Sequence, residues 1–316
     1  MASELELIEV FLRAFPPARA RVGPGDDAAV LGPERHPLCV TTDAVVEDVH
    51  FRLGTFSFAD IGHKALAVNL SDLAAMGATP AWFVCAIQGP AETLTRTAVS
   101  ALGRGMAALA RRHRISLVGG NFSRAAALSL TLTVTGTLPG GRALLRRGAR
   151  AGDQLYVSGT LGEARRGLWE LEQGVRMGPA VRRQRRPAPR LALGRLARSF
   201  AHAGLDVSDG LLRDLGHLCE ASGVGAEVEL ARLPRSAGMR RHPEQAELLT
   251  AGGEDYELLL AVPPRRCQAF ERACRVAKER VTQIGTCVRT RGVVLLDPRG
   301  QPVHGGARSG FDHFRV

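Results

Sequence analysis

Segments typical of strands and of helices alternate along almost the whole chain. The segments LCVTTDAVV (38–46) and LSLTLTVTGT (128–137) are rich in β-branched residues, as strands usually are. The segment DIGHKALAVNLSDLAAMG (60–77) repeats its leucines at helical spacing, with Asp60 as the expected N-cap. This alternation, without any internal repeat, predicts an α+β fold with α/β-like alternation.

The segment GGRALLRRGARAGD (140–153) interrupts the alternation, because glycine and arginine replace the periodic apolar residues. The chain has 316 residues, about twice the length of a typical domain. We therefore expect two domains, 1–140 and 150–316. In the second domain, QLYVSG and YELLLAV are predicted strands, and GLDVSDGLLRDL is a predicted strand, turn and helix.

Neither a signal peptide nor a membrane span is predicted. The N-terminal MASELELIEVFLRAF carries acidic residues at helical spacing, without the basic start and apolar core of a signal peptide. No run approaches the roughly 20 apolar residues that span a bilayer, so we expect a cytoplasmic protein without a membrane partner. The six cysteines form no Cys-x-x-Cys pair and are predicted to be buried free thiols.

The net charge of +11 at pH 7 raises the question of nucleic-acid binding. The densest basic run, VRRQRRPAPR (181–190), contains no aromatic residue on which a base could stack. We interpret this run as a solvated basic surface, with phosphate binding as the alternative. We therefore expect no nucleic-acid partner.

Two adjacent carboxylates, Asp26 and Asp27, follow Gly-Pro-Gly in the segment GPGDDAAVL (23–31). Two unit charges about 4 Å apart repel each other by roughly 4 kcal/mol near a protein surface. Solvated separately, the two side chains are ordinary turn residues. If they are directed at one place, they require a cation.

Other aspartates stand where strands end or helices begin. Asp43 lies near the end of a predicted strand, and Asp72 follows Asn69 by three residues on one helix face, close to the apolar stripe. Each aspartate alone is more often a turn residue or a cap than a metal ligand. Their repeated placement is what favours a shared function.

The segment DVSDGL gives the second such placement. Asp206 ends a predicted strand, Asp209 opens the following helix, and Ser208 between them is the expected N-cap. A helix start offers unpaired N–H groups and the positive end of the helix dipole, which suit a phosphate.

The usual phosphate-binding loops are absent from the sequence. It contains neither a GxxxxGK[ST] loop nor a GxGxxG fingerprint after a strand. A protein of this kind that handles phosphates must use metal ions held by carboxylates. Mg²⁺ suits that role, because it binds one or two carboxylates together with phosphate oxygens and water.

Three blocks in this order, NLSDLAAMGA, DVSDGL and GGEDYEL, carry a specific resemblance. Together with GPGDDAAVL, TTDAVVEDVHF, VGGN and the final GFDHF, they make nearly the whole chain similar to the thiamine-monophosphate kinase family. That family belongs to the superfamily of aminoimidazole ribonucleotide synthetase, selenophosphate synthetase and the hydrogenase maturation protein HypE.

The resemblance implies ATP-dependent phosphorylation of thiamine phosphate to thiamine diphosphate by direct, Mg²⁺-assisted phosphoryl transfer, with ATP as co-substrate. It also implies a homodimer. Domain 1–140 would bind ATP and Mg²⁺ and contribute to a dimeric β-barrel, and domain 150–316 would be the C-terminal α+β domain.

The resemblance also implies roles for individual residues. Several Mg²⁺ ions would be held by Asp27, Thr41, Thr42, Asp43, Asp72, Asn121, Asp206 and Asp209. ATP would be contacted by Gly120, Asn121, Arg146 and Ser208, and thiamine phosphate by His50, Glu254 and Phe311. The catalytic residues would be Asp43, Asp72 and Arg146.

Three points stay open at the level of sequence. Asn121 stands where many family members carry aspartate, so one metal site loses a charge. Without the family, His50 is equally well a histidine at the edge of the core, and Phe311 a packed anchor of the C-terminus. Another ATP-dependent enzyme of the same superfamily, with a different acceptor, is the alternative function. Its selenophosphate and hydrogenase-maturation branches are disfavoured, because the first cysteine is Cys39 and no cysteine ends the chain.

Overall fold

The computed structural model describes residues 3–21, 23–24, 28–29, 31–32 and 34–303, which form two compact units. The first unit contains the described residues up to Leu73 together with Thr79–Gly141, and the second contains Ala74–Ala78 and those from Arg142 on. Each unit combines a mixed β-sheet with helices. The expected two-domain α+β fold is therefore confirmed.

The sheet of the first unit has four strands in the order β1-β4-β2-β3. Neighbouring strands are antiparallel, except for the parallel pair β2 and β3. Among the described residues, this sheet is open, with β1 and β3 at its edges. The elements in chain order are α1 (Glu4–Leu12), β1 (Leu38–Val46), α2 (Phe58–Ala75), β2 (Thr79–Gly89), α3 (Arg96–His113), β3 (Ser116–Arg124) and β4 (Ser129–Thr137).

The core of the first unit follows the two periodicities of the sequence. Strand β4 buries every second residue, and helix α2 buries its leucines at helical spacing. The buried residues in question are Leu130, Leu132 and Val134 in β4 and Leu66, Leu70 and Leu73 in α2. The polar residues of α2 therefore lie beside the apolar core between this helix and the sheet.

Helix α2 begins two residues earlier than predicted, at Phe58. The expectation that Asp60 is the N-cap is wrong. The backbone N–H of Asp60 donates to Ser57 Oγ at 3.2 Å, and the N–H of Ser57 donates to Asp60 Oδ2, also at 3.2 Å. Ser57 therefore caps the helix, and Asp60 completes the reciprocal pair of a capping box.

The sheet of the second unit has six strands in the order β10-β7-β9-β5-β8-β6. Only β10 and β7 are parallel, and every residue of β8 is buried. The strands are β5 (Gln154–Ser158), β6 (Ala203–Val207), β7 (Gly225–Glu229), β8 (Glu257–Val262), β9 (Val281–Val288) and β10 (Gly292–Leu296). The helices are α4 (Glu163–Glu172), α5 (Pro179–Arg185), α6 (Leu191–Ala197), α7 (Leu211–Ser222), α8 (Gln245–Ala251) and α9 (Pro264–Val276).

The prediction of free thiols is confirmed for all six cysteines, and four of them are buried. The other two, Cys39 and Cys267, are partly exposed, so for them the predicted burial is only partial. None of the helices in the described part of the chain combines the length and the apolar character needed to cross a membrane.

Candidate active site

Strand β1 and helix α2 bring predicted site residues of the first unit together. Side chains alternate along a strand, so Thr41 and Asp43 share one face of β1. On that face, Thr41 Oγ1 donates to Asp72 Oδ2 at 2.5 Å, and the backbone N–H of Asp43 donates to Asn69 Oδ1 at 3.0 Å. Two polar residues of α2, Asp72 and Asn69, therefore each bind one residue of β1.

Asn69 is the structural centre of this group. Its side chain is completely buried, and its amide also donates to the backbone oxygen of Ala65 at 3.0 Å. A buried amide with both ends hydrogen-bonded joins strand and helix without the desolvation cost of a charge. Asp43 is exposed and Asp72 partly exposed, so both carboxylates stand at the surface of the first unit.

Thr42 lies on the opposite face of β1. Its hydroxyl donates to the backbone oxygen of Leu132 in β4 at 2.9 Å, and it accepts a hydrogen bond from Thr133 Oγ1 at 3.3 Å. The three consecutive residues of the predicted ligand set are thus divided between two faces. Only Thr41 and Asp43 face α2.

Gly120 and Asn121 lie on β3, opposite Cys85 and Ala86 of β2. A Cβ atom on Gly120 would lie 2.3 Å from the backbone oxygen of Cys85, so only glycine fits this approach of two strands. Asn121 is exposed. Strands β4 and β2 separate it from β1, which corresponds to about 14 Å along the sheet.

His50 ends the turn that follows β1. The backbone N–H of Val46 donates to His50 Nδ1 at 3.1 Å, and this hydrogen bond orients the imidazole ring. The buried side chain of Lys64 donates to the backbone oxygen of His50 at 2.8 Å, and its Nζ lies 5.3 Å from the ring centre of Phe56. The hydrogen bond from Lys64 therefore fixes the backbone of this turn, and His50 is partly exposed.

In the second unit, Asp206, Ser208 and Asp209 lie where β6 ends and α7 begins. Ser208 is not the N-cap, because α7 begins after Gly210 and no side chain of the N-cap residue binds the helix start. Instead, Asp214 Oδ2 accepts the backbone N–H groups of Ser208, Asp209 and Gly210 at 2.9, 3.0 and 3.2 Å. One buried carboxylate thus replaces the expected cap.

Asp214 also shows that acidic groups crowd this turn. Burial, and then the neighbouring charges of Asp209 and Asp206, raise the pKa of Asp214 to about 7, although the backbone hydrogen bonds lower it. Asp206 is buried and Asp209 partly exposed. Negative charge is therefore concentrated at this turn.

The loop from Gly252 to Tyr256 is fixed against the same turn. The N–H of Glu254 donates to the backbone oxygen of Ser208 at 2.7 Å, and that of Tyr256 to the oxygen of Val207 at 2.9 Å. Glu254 and Tyr256 have φ angles of 66° and 51°, which are unfavourable for residues with a side chain. Such strain persists where surrounding contacts determine it, and it concentrates at functional sites.

Two further acids of the GGEDYEL block are buried anchors. Asp255 accepts the N–H groups of Gly162 and Ala164 at 2.6 and 3.2 Å and so caps α4 from a distance, while burial raises its pKa to about 7. Glu257 is completely buried and accepts the hydroxyl of Ser158 at 2.5 Å. These two acids therefore hold neighbouring segments in place.

The interpretation of the run 181–190 as a solvated surface is wrong for part of it. Arg190 binds Glu257 through two hydrogen bonds of 2.6 and 2.5 Å, and Arg183 binds the same carboxylate. Although burial lowers the pKa of Arg190, the interaction with Glu257 raises it overall. Sequence analysis could not find these pairs, because Glu257 lies 67 residues beyond Arg190.

Arg146 has an exposed side chain on a fixed backbone. Ser222 Oγ donates to the backbone oxygen of Arg146 at 3.1 Å and accepts the N–H of Gly148 at 3.2 Å. Asp27 and Phe311, predicted as metal ligand and substrate contact, lie outside the described residues. Within the part of the chain that the structure describes, no three acidic, histidine or cysteine side chains converge as a metal site.

Two family models match most of the chain. The N-terminal domain of AIR synthase related proteins matches residues 25–138, and the corresponding C-terminal domain matches residues 150–297. The thiamine-monophosphate kinase of Salmonella typhimurium is 39% identical over 302 residues, which cover 92% of this chain and 91% of that protein. The chain belongs to the thiamine-monophosphate kinase family.

Solved structures of that family share the fold. The crystal structure of the thiamine-monophosphate kinase from Stenotrophomonas maltophilia K279a matches with a TM-score of 0.85 and 38% identity, over 94% of this chain and 97% of that one. The structure of AaThiL complexed with AMPPCP and TMP matches with a TM-score of 0.79 and 30% identity, over 98% and 96%. The two-domain α+β architecture is therefore that of the family.

The geometry of Asp214 gives a first prediction. Asp214→Ala should lower the free energy of unfolding by about 2–4 kcal/mol, because three backbone N–H groups lose a buried acceptor. Asp214→Asn keeps an acceptor oxygen and should stay within about 1 kcal/mol of the wild type. Urea denaturation measures both values.

Asp297→Ala is the matched control, because Asp297 Oδ1 also accepts two backbone N–H groups, of Arg299 and Gln301, but at an exposed place where water replaces it. It should cost less than about 1 kcal/mol. Equal losses in Asp214→Ala and Asp214→Asn would assign the effect to charge and contradict the hydrogen-bonding account.

Proposed function

We propose that this protein transfers the γ-phosphate of ATP to thiamine phosphate and forms thiamine diphosphate and ADP. One observation carries the proposal: AaThiL, 30% identical over 98% of this chain, is complexed with AMPPCP, an ATP analogue, and with TMP. The thiamine-monophosphate kinases of several bacteria, at 36–39% identity over more than nine tenths of the chain, support it.

Phosphoryl transfer requires little covalent chemistry from the protein. The acceptor is a phosphate monoester whose second pKa is about 6, so near neutral pH it is ionised and needs no general base. Direct transfer requires two anionic groups to be held in line and their repulsion to be neutralised. We assign no phosphoenzyme and no proton-abstracting residue.

The acidic side chains fit a role as Mg²⁺ ligands. Asp43, Asp72 and Thr41 in the first unit, and Asp206 and Asp209 in the second, offer only hard oxygen atoms. Mg²⁺ is commonly bound by one or two carboxylates and completes its coordination with phosphate oxygens and water. We also include Asp27, Thr42 and the uncharged Asn121. Bound Mg²⁺ would offset the negative charge of the phosphate oxygens.

The remaining assignments concern the two substrates. Gly120, Asn121 and Ser208 would contact ATP, and the exposed guanidinium of Arg146 would balance phosphate charge. His50, Glu254 and Phe311 would contact thiamine phosphate. The hydrogen bonds that hold the backbones around His50 and Glu254 support this assignment, since a binding group must be positioned before the ligand arrives.

The activity is tested with ATP, Mg²⁺ and either thiamine phosphate or thiamine as acceptor. We expect thiamine diphosphate and ADP in equal amounts from thiamine phosphate, because only that acceptor brings an ionised phosphate to the metal ions. Separation of the products by chromatography measures this. A preference for thiamine, or no diphosphate in the presence of Mg²⁺, would contradict the proposal and favour another acceptor of the superfamily.

Asp43→Asn and Asp72→Asn should each lower kcat about a hundredfold, the equivalent of ~2.7 kcal/mol of lost transition-state stabilisation. Melting temperatures should change little, because the amide in Asp72→Asn still accepts the hydroxyl of Thr41 and the Asp43 side chain is exposed. Steady-state kinetics at limiting and saturating Mg²⁺ measure the effect. Glu92→Gln, which removes an exposed charge from the same unit, is the control. Unchanged kcat in either variant would remove that residue from the metal site.

A homodimer formed through the first unit completes the proposal. Strand β1 is an edge strand in the described sheet, and the face opposite α2 exposes Leu38 and Val40, the latter by 62%. Exposed apolar edge strands tend to pair with another chain, and pairing into a dimeric β-barrel would cover this edge.

Sedimentation at micromolar concentration should therefore give the mass of a dimer, and Val40→Lys should shift it toward the monomer, because a charge would be buried in the interface. Val276→Lys is the control, since Val276 is 81% exposed on α9 in the second unit. A wild-type protein that is active and monomeric would contradict the proposal.

A further inference from the structure

Gln184 is a buried polar residue of the basic run 181–190. It lies on α5, is only 2% exposed, and donates from Nε2 to Oε2 of Glu254 at 2.5 Å. The orientation of the amide is determined by this contact, because only the NH₂ group can donate to a carboxylate oxygen. Gln184 therefore restrains the carboxylate of a residue assigned to the acceptor substrate.

Helix α5 is itself fixed on both sides of Gln184. A Cβ atom on Gly167 of α4 would lie 2.1 Å from the backbone oxygen of Ala180, so the two helices touch at the backbone. Within the helix, Arg183 binds the buried carboxylate of Glu257, and Arg190, which lies just before α6, binds the same carboxylate. A donor on such a support has little freedom to follow a moving partner.

The amide oxygen of Gln184 shows the free-energy cost of burying this side chain. Its Oε1 is buried and accepts no hydrogen bond from any described residue. An apolar side chain of the same shape would avoid this unsatisfied acceptor, but it would also remove the donor to Glu254 Oε2. The hydrogen bond to Glu254 is therefore what accounts for a glutamine here.

The loop of Glu254 needs such a restraint. Its backbone has a φ angle of 66° and is held by the hydrogen bond to the backbone oxygen of Ser208, but neither feature fixes the direction of a three-carbon side chain. The hydrogen bond from Gln184 Nε2 to Glu254 Oε2 is a contact that restrains this direction.

We propose that Gln184 is a positioning residue of the acceptor site, which holds the carboxylate of Glu254 in the direction that thiamine phosphate requires. This inference rests on the proposed function and on the assignment of Glu254 to that substrate. Gln184 acts through Glu254 and contributes to binding of the acceptor, and neither to ATP binding nor to the chemical step. Its loss should therefore change KM for the acceptor and leave kcat unchanged.

The test compares two variants of nearly the same volume. Gln184→Met removes the donor and should raise KM for thiamine phosphate about tenfold, as expected for the loss of a hydrogen bond to a charged group. Gln184→Glu places a second carboxylate against Glu254 and should raise it further, because like charges repel. KM for ATP and kcat should change by less than about twofold. Arg182→Gln, at an exposed position of the same helix, is the control.

A double-mutant cycle distinguishes positioning from a structural role. If Gln184 acts through Glu254, Gln184→Met should have no further effect on KM in a Glu254→Ala background. If Gln184 only supports the fold, the two substitutions should add and the melting temperature should fall in both backgrounds.

Additive effects, or an unchanged KM in Gln184→Met, would overturn the inference while the wild type still phosphorylates thiamine phosphate. If Gln184→Met does not fold, Gln184→Leu decides the question by the same comparison, because it also removes the donor without adding a charge. A wild-type protein without this activity would overturn the proposed function itself, and the inference with it.

Discussion

The cost of burying a carboxylate organises the second unit. An ionised carboxylate leaves water only where hydrogen-bond donors or cations replace it, and three acids here find three different replacements. Asp214 receives three backbone N–H groups, Asp255 the start of α4, and Glu257 two guanidinium groups and a hydroxyl. The contacts of Asp255 and Glu257 join segments that are distant in sequence, whereas those of Asp214 close a local turn. The contacts that satisfy these acids therefore also position the turn and the loop of the site.

Where strand β1 meets helix α2, the first unit uses a neutral buried side chain instead of a buried carboxylate. Asn69 stands where strand β1 meets helix α2, and its amide offers both a donor and an acceptor in a completely buried place. The carboxylates of Asp43 and Asp72 can then remain at the surface. A neutral centre with acidic side chains around it leaves the negative charge available to an external cation.

The sequence predicts the elements whose pattern is local. Strands β1 and β4 carry β-branched residues, and α2 carries leucines at helical spacing, so their bounds are found within two residues. The sequence does not predict strand β3, because its Gly-Gly pair and polar residues lack alternation. The need for glycine at position 120 becomes clear only from the neighbouring strand β2. Tertiary contacts decide where local signals are weak or equal.

The site residues also divide into those that a local pattern predicts and those that tertiary contacts decide. The repeated placement of aspartates at strand ends indicated a cation site, and the side chains of Asp43 and Asp72 do stand on facing elements. Ser208 satisfies the local rule for an N-cap, yet it is Asp214 within the helix that accepts the N–H groups of the turn before it. The charge of the run 181–190 could not reveal which arginines are buried, because their partner is remote in the chain.

The left-handed backbone of the loop at Glu254 and Tyr256 lowers the stability of the fold at the position that we propose for binding the acceptor. Glycine is the residue that this conformation favours, so a glycine at position 254 would relieve backbone strain but would delete the carboxylate that Gln184 orients. Stability alone would therefore favour glycine at this position. With glutamate there, the fold is less stable than its backbone permits, and the proposed contact with the acceptor is what would offset that cost.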